Sequence, residues 1–422
     1  MKNLVWMLSV LCCAPWSAGQ LSATPLQTDT LTVDQAVTLA RTANPMLQAM
    51  RLRADAAAQR IPQAGAWSNP QLGLALRNRP LDGFGTDERM TMNVIELGQQ
   101  IPWPGKLGNA KERSEWLAGA DSLDADEAEA QLVARVKTAY YQLAFADRAI
   151  AIMGETRDLL RNFLEVSSTM YQVGTGLQQD VLQAQIAVAQ MTEDITIVVQ
   201  RRIAMGARLN ALLGRGATVP IPGLQLPASQ EALSDVAALM MEAEAFRPAL
   251  AAARMRAEAA EAGYRAARRQ LYPDFMVRVG YGQRPQYADM LTLAVGVSIP
   301  IFAGSSQLPL RQEMLAMQAM QEARARDIYN ETFARVAELR AEAERARSLS
   351  TLYRNAVLPQ AHAAVESALS AYRVGQVDYM TLVQNQMTVN RYEIESVRLA
   401  ADFQRALAEL QALVGPASGS DR

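Results

Sequence analysis

Two stretches of this chain repeat each other, and that repetition limits what the chain can fold into. Met170-Tyr-Gln-Val-Gly-Thr-Gly-Leu-Gln-Gln-Asp-Val-Leu-Gln-Ala-Gln185 returns as Ala371-Tyr-Arg-Val-Gly-Gln-Val-Asp-Tyr-Met-Thr-Leu-Val-Gln-Asn-Gln386. Tyr171 aligns with Tyr372, Val173 with Val374, Gly174 with Gly375, Gln183 with Gln384 and Gln185 with Gln386, always at an offset of 201. The register still holds where Leu209-Asn-Ala-Leu-Leu-Gly214 meets Leu410-Gln-Ala-Leu-Val-Gly415. A gapless match over about 45 residues marks an internal duplication. In each copy a glycine lies between two long helical patterns, where it supplies the positive φ of a tight reversal. Each copy therefore reads as the tip of a long helical hairpin, at 173–176 and at 374–377.

The 422 residues are then one architecture of two similar halves rather than several unrelated domains. A net charge of −2 gives no electrostatic basis for a nucleic-acid partner. Half the residues are apolar but only 6% are aromatic, a balance that suits long, closely packed helices. After the first few positions no apolar run is long enough for a membrane-spanning helix.

Residues 1–19 read as a secretory leader, with basic Lys2, an apolar Leu4 to Ala14, and small Ser17-Ala18-Gly19 before a cleavage point. Both cysteines, Cys12 and Cys13, fall inside it, so cleavage leaves a mature chain without thiols. Lipidation at one of them is the alternative, although neither follows the small residue usual before a lipidated cysteine.

The first repeat spans 20–215. Thr32-Val-Asp-Gln35 forms a capping box, and its helix runs towards Pro62 with a break at Asn44-Pro45. Arg247-Pro248 occupies the corresponding place in the second repeat, 230–415. A hairpin follows at about 69–101. Leu72, Leu74 and Leu76 alternate with Gln71, Gly73, Ala75 and Arg77. In its second strand Met90, Met92 and Val94 share a face, and Glu96 then lands on that face, which predicts a bulge or an early exit. The Gly-rich Leu81 to Asp87 connects the two strands.

The hairpin at about 273–301 is cleaner. Phe275, Val277, Val279 and Tyr281 alternate with Met276, Arg278 and Gly280, and Leu291, Leu293, Val295, Val297 and Ile299 alternate with Thr292, Ala294, Gly296 and Ser298. Strands of about ten residues with one apolar and one small or polar face fit a membrane barrel. A half-buried soluble hairpin packed on helices has the same period.

Each second strand ends in a turn, Ile101-Pro-Trp-Pro-Gly-Lys106 or Ile299-Pro-Ile-Phe-Ala-Gly304. Lys106 to Tyr171 then runs without a proline, long enough to reach roughly 100 Å as a helix. Antiparallel coiled-coil seams are expected at Leu159, Phe163, Val166, Met170 and Val173 on the incoming helix. On the returning helix they fall at Val181, Ala184, Val188, Met191, Ile195, Val198, Met205, Leu209 and Leu212, interrupted by Arg202. The second repeat follows with helices from about Gln307 to Tyr372 and Asp378 to Val414. Residues 216–229 link the halves and 416–422 form a tail. Four lipid-facing strands cannot close a barrel, and an open edge cannot face lipid, so several protomers must assemble.

On the duplicated Tyr-x-Val-Gly tips, the Pro-Trp-Pro-Gly-Lys turn and the Asn44-Pro45 and Asn69-Pro70 pairs, the chain resembles the TolC-like outer-membrane factor family from Leu31 to Gly415. The Pro-Gly-Lys turn is what suggests the cation-efflux branch and heavy-metal resistance. The resemblance implies an α+β membrane protein, a homotrimeric duct in the outer membrane of a Gram-negative bacterium. A 12-stranded β-barrel, four strands per protomer, would continue as a periplasmic α-helical barrel of coiled-coil hairpins. It implies docking to a periplasmic adaptor and an inner-membrane RND-type pump, with metal cations as cargo. Drug efflux, type I protein secretion, and a periplasmic coiled-coil scaffold without a barrel are the alternatives.

The resemblance assigns adaptor docking to Val173, Gly174, Thr175, Val374, Gly375 and Gln376, and a pore constriction to Asp180, Thr381 and Gln384. Relatives can carry acids at the last two positions, so the constriction here is less acidic. Asp180 in the first turn of a helix also simply favours the helix dipole. The sequence contains no catalytic set, cofactor motif or zinc motif. His362 is the single histidine. Met314, Met317 and Met320, every three residues, suit packing more than a thioether metal site.

Overall fold

The computed structural model describes residues 31–79, 88–227 and 233–415. The leader with both cysteines, the 81–87 connector, part of the linker and the 416–422 tail lie outside the described residues.

The chain enters through α1 (Val33–Ala43), started by the Thr32/Gln35 capping box. Pro45 cannot donate a backbone bond, so α2 (Pro45–Ala64) begins anew there. Asn44 accepts from the amides of Met46 at 3.0 Å and Leu47 at 3.1 Å, and its amide donates to Leu212 O at 2.9 Å. One side chain thus caps α2 and ties it to a distant helix end.

Strands β1 (Gln71–Arg77) and β2 (Met92–Ile101) follow, then α3 (Lys106–Gln172), 67 residues long, and α4 (Gln178–Leu212). The second repeat supplies α5 (Val236–Phe246), α6 (Pro248–Arg269), β3 (Asp274–Gln283) and β4 (Met290–Ser298). It then gives α7 (Gln307–Leu352), a π-helical turn at Tyr353–Val357, α8 (Leu358–Arg373) and α9 (Tyr379–Val414). The π turn precedes Pro359, and it breaks the uninterrupted helix expected from Gln307 to Tyr372. An extra residue in the turn accommodates the missing proline amide.

The two hairpins join through β2 and β3 into one antiparallel sheet of order β1-β2-β3-β4. Leu72 faces Leu97, which faces Val279, which faces Leu293; Leu74, Ile95, Tyr281 and Leu291 form a parallel row. This face is bare: Leu74 is 80% exposed and Leu291 77%. The opposite face carries Gly73, Glu96, Gly280 and Thr292, and beside them Gly98, Arg278 and Ala294.

The expected face of β2 is corrected. Ile95 and Leu97 point outward, while Met92 and Val94 are buried and share the inner face with Glu96. No bulge is needed, and the register runs unbroken from Met92 to Gly98 against β1. β2 carries apolar residues on both faces, so alternation alone misassigned it.

Helix α3 is the spine of the molecule and packs against α2, α4, α6 and α9. Its upper core joins Val37, Leu47, Val136, Tyr140, Leu143, Leu209 and Leu213 with Ile221 and Leu224, so the described part of the linker is built into the core. On the incoming helix the seam is Leu160, Phe163 and Ser167. Leu159 and Val173, expected in it, are 42% and 67% exposed. The returning helix buries Ala184, Met191 and Leu209 as expected. Arg202 fits that seam because Asp147 pairs with it and the carbonyl of Ile221 accepts from it at 3.2 Å.

Candidate functional site at the hairpin tips

At the first tip, Met170 O accepts from the amides of Thr175 and Gly176, both at 2.9 Å. Ala371 O accepts from Gln376 N at 2.9 Å at the second. These closures require a left-handed residue, and Gly174 (φ 79°) and Gly375 (φ 74°) supply it. A Cβ at either glycine would meet nothing within 4 Å, so backbone conformation rather than crowding demands glycine there. Val173 at 67% and Val374 at 69% exposure stand bare beside them, with Thr175 and Gln376 also exposed. The six tip residues named from the sequence thus form two equivalent surface knuckles.

One turn further on the repeats diverge. The Tyr372 hydroxyl donates to Asp180 Oδ2 at 3.4 Å, linking the second hairpin to the first. Tyr372 packs edge-on against Tyr379, with ring centroids 5.8 Å apart, inside a core shared with Leu160, Phe163, Met191 and Leu382. Burial first, and the Asp180 carboxylate second, push the Tyr372 phenol up to about 12. Burial also raises Tyr379, whose hydroxyl has no partner among the described residues.

Thr381 is committed to a cap: its amide and hydroxyl bond Asp378 Oδ1 at 2.8 and 2.5 Å, which holds that carboxyl below its usual range. Gln384 is exposed on α9. The sequence named Asp180, Thr381 and Gln384, but the partners Tyr372 and Asp378 define their surroundings. Tyr372 was legible as a duplicated motif residue, though its contact across the repeats was not.

The Pro104-Gly105-Lys106 turn is a structural joint. Lys106 Nζ bonds Asp274 Oδ1 at 2.8 Å and Tyr272 O at 3.0 Å. Trp103 stacks on Tyr272 and Phe275, at 5.2 and 5.8 Å between centroids. The joint locks the start of α3 to the start of β3. His362 pairs with Glu393 at 3.3 Å on an exposed helix surface. Met314 and Met317 line a shallow cavity with Arg113, Arg256 and Arg324, a cationic setting. Among the described residues no group of His, Cys, Asp or Glu is arranged to hold a metal.

A sheet with one bare apolar face, two edges unpaired among the described residues and helical hairpins leading away from it defines the subunit of an outer-membrane channel, its helices in the periplasm. Solved channels share the fold. OprN superposes with a TM-score of 0.79 at 17% identity, covering 91% of this chain and 89% of its own. CusC gives 0.76 at 17%, covering 94% and 95%, and VceC from Vibrio cholerae gives 0.77 at 19%, covering 91% and 96%. The chain belongs to the outer membrane efflux protein family, whose profile matches residues 36–215 and 239–416. The two matched segments overlap the two repeats expected from the sequence. The fusaric acid resistance protein FusA of Burkholderia cepacia is 27% identical over 233 residues, 52% of this chain. That alignment spans 43% of FusA, less than half its length.

Proposed function

We propose that three copies of this chain form the passive exit duct of a tripartite efflux system. The observation that carries this reading is the open sheet: among the described residues β1 and β4 each present an unpaired edge beside a bare apolar face. Lipid cannot satisfy those edges, and identical neighbours can. With four strands per copy, three copies give the smallest ring in this family's expected plan that leaves an open lumen. The same observation disfavours a soluble scaffold, and the tip geometry offers no catalytic constellation.

The two knuckles at Val173-Gly174-Thr175 and Val374-Gly375-Gln376 dock a periplasmic adaptor, which connects the duct to an inner-membrane pump. Their exposed valines and open glycines allow close backbone approach by a partner helix. Asp180 and the exposed Thr381 and Gln384 lie near the same end and form the constriction. Replacing Gly174 or Gly375 with leucine tests the docking role. Outer-membrane oligomers should persist on unheated gels, while export-dependent tolerance is lost. Wild-type tolerance in both variants contradicts docking at the tips.

The Pro-Gly-Lys turn carries the resemblance to the cation-efflux branch, with metal cations as cargo, while Lys106 itself serves as a structural joint. FusA's name favours a second reading, an organic acid. Drug efflux and type I protein secretion would use the same duct with a different inner-membrane partner. Tolerance of a deletion strain to metal salts and to fusaric acid separates the two cargo readings.

A further inference from the structure

The inner face of the sheet carries charges that neither the tips nor the lipid contact explain. Arg77, Glu96 and Arg278 sit there together. Arg77 pairs with Glu96, and Arg278 Nε lies 3.9 Å from Glu96 Oε2. Among the described strand residues the other charged one on this face is Asp274 at the periplasmic rim, which Lys106 holds at 2.8 Å. Two cations face one anion, so each protomer brings an excess of one positive charge to this cluster on the wall. Glycines surround the cluster. Glu96 pairs across the sheet with Gly73 on one side and Gly280 on the other. A Cβ at Gly280 would lie 3.4 Å from Glu96 Cγ, and one at Gly98 would lie 3.8 Å from Arg278 Nε. The charged side chains therefore lie against a floor of bare backbone.

The geometry points to an electrostatic filter on the barrel wall that favours anionic solutes, set by Arg77 and Arg278 and tempered by Glu96. It rests on the duct reading above, since only a closed barrel turns this face into a lumen. Three protomers place six arginines and three glutamates on this face of the wall. Low-dielectric walls focus such a field, and salt screens it over about 8 Å at physiological ionic strength. The filter acts by charge and not by size, so it discriminates carboxylate or sulfonate solutes from quaternary ammonium and metal cations.

Ala294 lies directly opposite Arg278 in the β3–β4 pairing and is exposed. An Ala294→Cys variant reports the potential at that level without requiring the helical tips to open. In intact outer membranes its thiol is reacted with a sulfonate-bearing and a trimethylammonium-bearing methanethiosulfonate, and the rate ratio is compared with that of an exposed helix cysteine. The sulfonate should be favoured by roughly three- to tenfold, and more at low salt. Adding Arg77→Gln and Arg278→Gln should abolish the preference, and Glu96→Gln alone should enlarge it. A ratio equal to the reference, or unmoved by these substitutions, overturns the filter. A thiol that reacts with neither charged reagent but does react with a lipid-soluble maleimide overturns the duct itself.

Discussion

Residue-scale differences show how a duplicated chain tolerates divergence. Asn44 caps α2 with its own side chain, but its counterpart Arg247 cannot cap α6. Glu127, reaching from α3, does it instead: Oε2 accepts from Ala249 N at 3.3 Å, and Oε1 pairs with Arg247 at 3.2 Å. Both side chains are nearly buried, at 14% and 10% exposure. Glu127→Ala leaves a buried guanidinium unpaired and should destabilise by roughly 3–5 kcal/mol. Asn44→Ala should cost about 1 kcal/mol, the usual value of a lost cap. Urea unfolding of the two variants checks that order, and equal losses would contradict it.

Tyr372 provides a test in pH. Its raised phenol means that the fold favours the neutral form, so its contribution is intact below the ordinary tyrosine value of 10.0. It should fade as pH rises towards about 12, where the folded phenol ionises. In ultraviolet titration, the absorbance step that Tyr372→Phe removes should lie near 12, and a step near 10 would contradict the buried contact with Asp180.

At the scale of elements, the sheet's two faces should respond oppositely to charge. Leu74→Lys sets an ammonium in the lipid-facing row and should cost roughly 2–4 kcal/mol if it lies near the bilayer midplane. Thr292→Lys on the inner face should insert normally. Folding into lipid vesicles, read by heat-modifiability, distinguishes them, and equal behaviour would mean the faces are assigned wrongly. Much of this was legible in the sequence. The Leu72-Leu74-Leu76 and Leu291 to Val297 rows were unambiguous because glycine and small residues alternate with them.

β2 misled because Met92 and Val94 are apolar yet face inward, so only pairing with Leu72 and Leu74 reveals that Ile95 and Leu97 lie outside. The seam of α3 shifted from Leu159 to Leu160 because its neighbours change along its length, and no single helical stripe describes it. The π turn at Tyr353–Val357 left no periodic signal, and the helix expected from the sequence runs straight through Pro359. Contacts between repeats, such as Tyr372 with Asp180, depend on the packing of four helices and were invisible to spacing.

For the whole molecule, duplication solves a problem of chain economy. One hairpin and one helical pair, used twice, give each protomer two strand pairs and two tips set about one spine, α3. The arrangement leaves the molecule incomplete, since every residue of β4 is exposed and both outer strands lack a partner among the described residues. That incompleteness is the central claim, and native mass spectrometry of the detergent-extracted outer-membrane protein tests it most directly. The expected species has three times the mass of one mature chain. A stable single-chain species, extracted under the same mild conditions with its sheet intact, would contradict the account.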